Sequence, residues 1–446
     1  ILMPMVRRKV LLPDMLEPVT IRIRPRPLIS RSFVTRRACG IRGCPSSLAT
    51  IDAGRPLPAV EQRDDPSLAG RPVVVGADPK GGKGRGVVST CSYEARRYGI
   101  HSAMPISMAY RLCPEALFLP VDMRKYQKVS AEVFDILNDF TPDVEPISID
   151  EAFLDITGSF HFWGSPLETG REIKARIKKQ LNLTASVGIA PTKMAAKMAS
   201  DHVKPDGLLE ITPEHLLDFL WPLSIEKMWG VGDHTQKELN ASGIRTIGDL
   251  ARCPKEMLCK KFGKKGGDLF LLANGADDRQ VETREEIKSV SHEHTFEVDT
   301  KDESAIRDVL TSLSEKVSRR LRQSGLKAGR ITLKVRFSDF KTITRDHTLR
   351  RRTNFFDDIC RVSRELFGAV HKKGQEYRLV GVRAAHFKDS YVQESLFPDT
   401  KGEKMEKIHK AVDSIKDRFG ERLITRGRSA HSKGAPFSRN TTQADA

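Results

Sequence analysis

The sequence predicts an α+β fold shared among several domains, and three observations carry that prediction. Short runs rich in Val, Ile and Phe, of strand length, punctuate the first half. Between them lie longer stretches whose apolar residues recur at helical spacing. In the last third stands a strictly alternating strand pattern with a basic outer face. At 446 residues the chain is long enough for roughly two to four units, each with its own core.

Composition narrows the class further. Hydrophobic residues make up 39% and charged residues 30%, the proportions of a soluble globular protein. The formal net charge of +17 favours a polyanionic partner, nucleic acid first. Seven cysteines lie scattered without a CxxC pair, which predicts reduced thiols in a cytoplasmic protein and excludes a zinc ribbon or disulfide framework. No run approaches 18 apolar residues, so no membrane helix is expected.

The elements follow in chain order. Residues 1–50 hold ten Arg or Lys against only Asp14 and Glu17, with no sustained period. They are read as a disordered or non-native leader in preference to an organellar transit peptide. Pro72–Gly76 reads as a buried strand and Gly86–Thr90 as its neighbour, joined by the turn-rich Ala77–Arg85. Tyr126, Val129, Val133, Ile136, Leu137 and Phe140 fall on one helical face.

Pro146–Gly158, PISIDEAFLDITG, holds two apolar runs, Ile147–Ile149 and Ala152–Leu154, parted by Asp150 and Glu151. At a bend between strands two such acids can converge on a hard cation; the competing reading is an acidic turn in solvent. Lys193–His202 continues as a helix that ends near Lys204-Pro205. Residues 213–283 read as short helices, among them a helix–GVG–helix hairpin over Lys227–Leu250. Its glycine turn, Gly230 and Gly232, bares amides at a helix start, where a phosphate binds readily.

After a charged linker, Ile331, Leu333, Val335 and Phe337 alternate with Thr332, Lys334, Arg336 and Ser338. Between Arg319 and Arg352 there are twelve Lys or Arg and two Asp, a nearly single-signed run that favours phosphate contact. His292 and His294 have no metal-ligand context and are read as packing or phosphate-binding groups. A last helix is expected over Met405–Phe419 before a polar end.

Three of these segments, taken together, resemble a known family. STCSYEARRYGIHSAMP (89–105), PISIDEAFLDITG (146–158) and SVGIAPTKMAAKMASDHVKPDG (186–207) stand in the order and spacing of the Y-family DNA polymerases, specifically the DinB (DNA polymerase IV) class. The resemblance runs from about Ala59 to Phe397, roughly three quarters of the chain. It implies a multi-domain right-hand polymerase: palm over 51–55 and 109–211, fingers over 56–108, and a helical thumb over 212–283. A linker over 284–289 then leads to a C-terminal α/β little finger over 290–388, and a tail over 389–446 completes the chain.

The resemblance also implies roles. Aligned on Val60-Glu61-Gln62, Asp52 falls on the first metal-binding aspartate, joining Asp150 and Glu151 as catalytic and metal-binding acids. Two Mg²⁺ ions would activate a primer 3′-hydroxyl and neutralise the departing pyrophosphate. Thr90, Tyr93, Arg96 and Lys204 are implied triphosphate-binding groups, the last two suited to phosphate as fork and point charge. Gly230, Gly232, Arg330, Thr332, Lys334 and Arg336 would hold DNA. Gln393, Leu396 and Phe397 look like the QxxLF peptide that binds a sliding clamp. Expected partners are therefore primer-template DNA, dNTPs and the clamp, the protein itself being a monomer.

One hexapeptide departs from the family. In Ala53–Pro58, Gly54 replaces the second acid, Pro56 an aromatic, and Leu57 the aromatic "steric gate" that blocks a 2′-hydroxyl. Pro56 and Pro58 also suit a strand-to-helix element badly. Two compensating reading-frame shifts would produce such a segment, and an unbroken frame in the coding DNA would dispose of that idea. The expected function is error-prone translesion synthesis without proofreading. The alternative is a catalytically impaired homologue that grips DNA and clamp; a helix-hairpin-helix nuclease is a distant third. Asp52 far from the Asp150–Glu151 tip would favour the impaired reading.

Overall fold

The computed structural model describes residues 47–52, 56–283, 286–387, 400–420 and 423–424. The leader up to residue 46, the first half of the hexapeptide (53–55) and the clamp-type peptide Gln393–Phe397 lie outside the described residues.

The chain enters through β1 (Leu48–Asp52), buried along its whole length. α1 (Pro56–Asp64) follows and contains both prolines that the sequence reading holds against a helix. They are tolerated because both fall in the first turn, where backbone amides have no partner four residues back. Leu57 and Val60 enter the apolar core from α1. Glu61 anchors the helix, accepting from the Tyr126 hydroxyl and from Lys125 Nζ, both at 2.6 Å.

β2 (Val73–Gly76) and β3 (Val88–Cys91) pair antiparallel. α2 (Tyr93–Arg96) is a single turn capped by the Ser92 hydroxyl, and α3 (Ile106–Leu112) follows. β4 (Leu117–Leu119) then lies parallel to β2 and completes a sheet in the order β3-β2-β4. This small sheet therefore takes a strand from beyond residue 108, the limit of the fingers implied by the family resemblance.

α4 (Met123–Asn138) begins where the Asp122 carboxylate caps the Lys125 amide, and it buries the helical stripe legible in the sequence. β5 (Val144–Pro146) and β6 (Glu151–Asp155) form the acidic hairpin. The strand expected at Ile147–Ile149 is instead the turn. The amides of Ile147 and Ser148 both donate to the Glu151 carbonyl, at 2.8 and 3.2 Å, which leaves Ile147 exposed and starts the pairing strand earlier. α5 (Pro166–Leu181), β7 (Ser186–Ala190), α6 (Lys193–His202) and β8 (Leu208–Glu210) complete a five-stranded sheet ordered β5-β6-β1-β7-β8.

Strand alternation divides this sheet into two faces. Ala49, Ile51, Ala152, Leu154, Val187 and Ile189 pack with the apolar residues of α4 and α5. Thr50, Asp52 and Gly188 point the other way, toward α6. Asp52 and its cross-strand partner Glu151 therefore meet under a helix rather than in open solvent.

α7 (Leu216–Leu220), α8 (Asp233–Ala241), α9 (Ile247–Arg252), α10 (Lys255–Phe262) and α11 (Lys264–Ala273) are the short helices expected. They share one core with α6, in which Met194 and Met198 pack with Leu220, Leu239, Ile247 and Leu269.

The last unit runs β9 (Ser289–Thr300), α12 (Glu303–Gln323), β10 (Ala328–Phe337), β11 (Thr342–Thr353), α13 (Phe356–Val370) and β12 (Tyr377–Ala385). Its sheet is ordered β11-β10-β12-β9, with Ile331, Leu333 and Val335 packed against α12 and α13. α14 (Thr400–Phe419) begins five residues earlier than expected. Its Ile408 and Ile415 are exposed while His409 and Lys416 are buried. The reason is the surface it meets. Arg322 on α12 holds Asp413 at 2.6 and 2.8 Å, Arg319 holds Asp417 at 2.8 Å, and Lys416 reaches Glu315 at 2.5 Å.

Candidate metal and nucleotide centre

The site is built where the central strand ends. Asp52, last in β1, stands opposite Glu151, first in β6, in antiparallel register. Direct cross-strand partners share a face and nearly touch, so two carboxylates are forced together. Only counter-charge makes that tolerable, and α6 supplies it. Lys197 Nζ lies 2.8 Å from Glu151, 3.1 Å from Asp201 and 3.6 Å from Asp52. Just past the helix, Lys204 pairs with Asp52 and lies 2.6 Å from Asp201.

Carboxylate oxygens of Asp52, Glu151 and Asp201 all fall within 4.8 Å of one another. That span matches oxygens arranged around one hard cation, whose bonds run roughly 2.0–2.6 Å. The donor set therefore fits a divalent metal ion. It differs from the set expected in one respect. Asp201 joins Asp52 and Glu151, while Asp150 is turned at the bend, where its carboxylate accepts from the Ser148 hydroxyl. Asp201 and Lys197 are the residues that the sequence reading passes over. The signal was available: positions 197 and 201 are one turn apart on the helix, and Lys204 follows three residues later.

The acids titrate apart. Burial, followed by the hydrogen bond with Asp52, pushes Glu151 up to about 7. Burial also works to raise Asp52, but the bond from Glu151 and the charges of Lys204 and Lys197 outweigh it and hold Asp52 below its ordinary value. Asp150 is raised, chiefly by burial and further by the charge of Asp52. Burial works against the charge on Lys204, yet Asp52 and Asp201 hold its ammonium above the ordinary lysine range. On the acid side of pH 7 Glu151 thus keeps its proton beside an ionised Asp52, and it loses that proton as pH rises through about 7.

The other expected groups lie on neighbouring layers. Thr90 lies within β3 of the small sheet, and Tyr93 and Arg96 are the first and last residues of α2, which follows it. Arg96 is exposed and Tyr93 half-buried. Leu57, expected at the gate position, is 8% exposed and belongs to the core. In the helical unit Gly230 has φ +96 and Gly232 is the N-cap of α8, so the GVG turn does open onto a helix start.

On β10 the alternation holds, with Arg330, Lys334 and Arg336 half-exposed on the face away from α12 and α13. Thr332 departs from the expected exposed position: it is 8% exposed, covered between flanking strands. Lys334 is also engaged, donating to both carboxylate oxygens of Glu293 at 2.8 and 2.9 Å. Glu293 reaches it across Gly381, whose missing side chain leaves the path open. Burial and then the positive charge of Lys316 hold His292 and His294 below their ordinary value, consistent with packing.

Comparison with known proteins matches most of the chain. Residues 51–201 match the impB/mucB/samB family, 213–244 the family's HHH motif, and 287–396 its C-terminal domain. The DNA polymerase IV of Methanoculleus marisnigri is 45% identical over 335 residues, covering 75% of this chain and 92% of that protein. The DNA polymerase IV of Clostridium perfringens is 42% identical, covering 77% and 95%. Among solved structures, a Y-family DNA polymerase chimera, Dbh-Dpo4(243-245)-Dbh, aligns with a TM-score of 0.68 at 28% identity, covering 76% of this chain and 99% of that one. An insertion ternary complex of Dbh DNA polymerase aligns with a TM-score of 0.56 at the same identity and coverage.

Proposed function

The chain belongs to the Y-family DNA polymerases of the DNA polymerase IV class, and from that membership we infer how its own residues divide the work. It is a DNA-directed DNA polymerase of the translesion type. Asp52 and Glu151, with Asp201 of α6 and Asp150 at the bend beside them, form the acid centre for divalent cations, taken to be two Mg²⁺. Bound there, such ions supply charge neutralisation and a more acidic primer hydroxyl.

The chain's own groups do the rest. Asp52 and Glu151 hold charge at the reacting end of the primer. Arg96 and Lys204 present cations to a triphosphate, with Tyr93 and Thr90 as hydrogen-bonding neighbours. The basic face of β10 and the GVG turn track the phosphates of a primer-template duplex. Gln393, Leu396 and Phe397 are the candidate clamp contact, on a chain that acts as a monomer in the cytoplasm. No helix among the described residues is long and apolar enough to cross a membrane.

The observation that carries this reading is the register of Asp52 against Glu151. A scaffold that only grips DNA has no use for crowded carboxylates beside phosphates, so the same pairing weighs against a catalytically impaired homologue. Primer extension with Mg²⁺, run beside Asp150→Ala and Glu151→Ala, tests it. Extension by the natural chain, with loss of at least about 100-fold in either variant, is expected; no extension by the natural chain would leave the DNA-gripping alternative.

A further inference from the structure

Two ammonium groups already stand where the acid cluster would draw a hard cation. Lys204 pairs with Asp52, and its Nζ lies 2.6 Å from Asp201 and 3.9 Å from Glu151. Lys197 lies 2.8 Å from Glu151 and 3.6 Å from Asp52. The same three acids are those whose oxygens close to within 4.8 Å. The two lysines are not equivalent. Lys197 projects from the middle of α6, and its side chain is 8% exposed. Lys204 comes after the helix, with a side chain 25% exposed, on a four-carbon stem that can swing.

We propose that Lys204 is an internal competitor for the divalent-cation site: its ammonium holds Asp52 in the cation-free protein and is set free for a triphosphate only when it leaves. The inference rests on the polymerase reading and adds an order of events to it. The Lys204 ammonium and a divalent cation on the same Asp52 carboxylate repel, so each weakens the other's hold on it. Asp201, bonded to Lys204 and less buried than Asp52, is the positioning residue that keeps the ammonium near the cluster in either place. Linkage makes the effect reciprocal. Whatever factor Lys204 takes from cation affinity, the cation takes from the grip of Asp52 on Lys204.

This assigns Lys204 effects of opposite sign on two ligands, which a purely structural role would not. Mn²⁺ binding to the full chain, without DNA or nucleotide, is followed by electron paramagnetic resonance for the natural protein, Lys204→Gln and Lys204→Arg. Lys204→Gln is expected to bind Mn²⁺ about tenfold tighter, while Lys204→Arg, which keeps the charge, stays within about threefold of the natural protein. With Mn²⁺ saturating, dATP binding by Lys204→Gln should weaken by about tenfold or more. Mn²⁺ affinity unchanged or weakened in Lys204→Gln overturns the inference and leaves the metal site standing. Absence of Mn²⁺ binding in all three proteins overturns the metal-site reading as well.

Discussion

Gly188 of β7 lies so close beneath Ser200 of α6 that a β-carbon on it would stand 2.3 Å from the Ser200 amide nitrogen and 2.2 Å from the Ala196 carbonyl oxygen. Both neighbours are helix backbone, so neither can give way cheaply. The close approach is what lays α6 on the sheet at the height where Lys197 and Asp201 reach Asp52. Gly188→Ala is therefore expected to cost at least about 3 kcal/mol. Thermal unfolding of the purified variant checks this; a melting temperature equal to that of the natural chain would refute the argument.

Glu151 predicts a pH dependence of the cation-free protein. Its carboxyl is raised from 4.5 to about 7 in the fold, so between those values the folded chain holds a proton the unfolded chain has released. By linkage, stability then falls as pH rises from about 4.5 through 7, by roughly 1–3 kcal/mol from this group. Asp52, lowered instead, stays ionised in both states across that window and adds no slope. Urea unfolding at pH 5 and pH 8 with chelator present measures the slope. Glu151→Gln should flatten it relative to the natural chain, and an identical slope in both would contradict the assignment.

Glu293 predicts a gain of DNA affinity on mutation. It occupies Lys334 from two strands away, so one cation on the basic face is already answered by protein. Glu293→Gln releases that lysine. Duplex binding should tighten, and the slope of log affinity against log salt should steepen by about 0.9, the share of one added phosphate contact. Fluorescence anisotropy across a salt series reads both. An unchanged slope would mean that Lys334 does not meet phosphate.

Leu57 predicts relaxed sugar selection. Leu57 is buried in the core, and taken as the gate it carries no ring to exclude a 2′-hydroxyl. Discrimination between dNTPs and rNTPs should fall by on the order of 10-fold or more relative to a relative with an aromatic gate. Single-nucleotide primer extension with each sugar measures the ratio, and equal exclusion in the two enzymes would count against it.

How far the sequence reached depends on whether the signal was local. The helical stripe from Tyr126 and the alternation from Ile331 were legible because each element's own periodicity names its buried face. Ile147 misled because an apolar residue beside an acidic bend reads as strand, whereas the bond from its amide to Glu151 makes it turn. Pro58 misled in the other direction, since a proline in the first helical turn costs no hydrogen bond. Asp52 was singled out through the flanking Val60-Glu61-Gln62, and the structure sets it opposite Glu151. Lys197 and Glu293 were missed because partners come from other elements, Glu151 of the sheet for Lys197 and a lysine beyond Gly381 for Glu293; Asp201 was passed over although Lys197 and Lys204 stand four and three residues from it.

The manner in which α14 is fastened has a consequence of its own. Lys416, Asp413 and Asp417 meet Glu315, Arg322 and Arg319, while Ile408 and Ile415 face outward. An attachment made chiefly of opposite charges loosens as dissolved ions screen its exposed member, Asp417, first, while the partly buried pairs of Lys416 and Arg322 are screened less. α14 is thus held by charge against a domain whose own interior is apolar, and its grip answers to ionic surroundings more than that interior does.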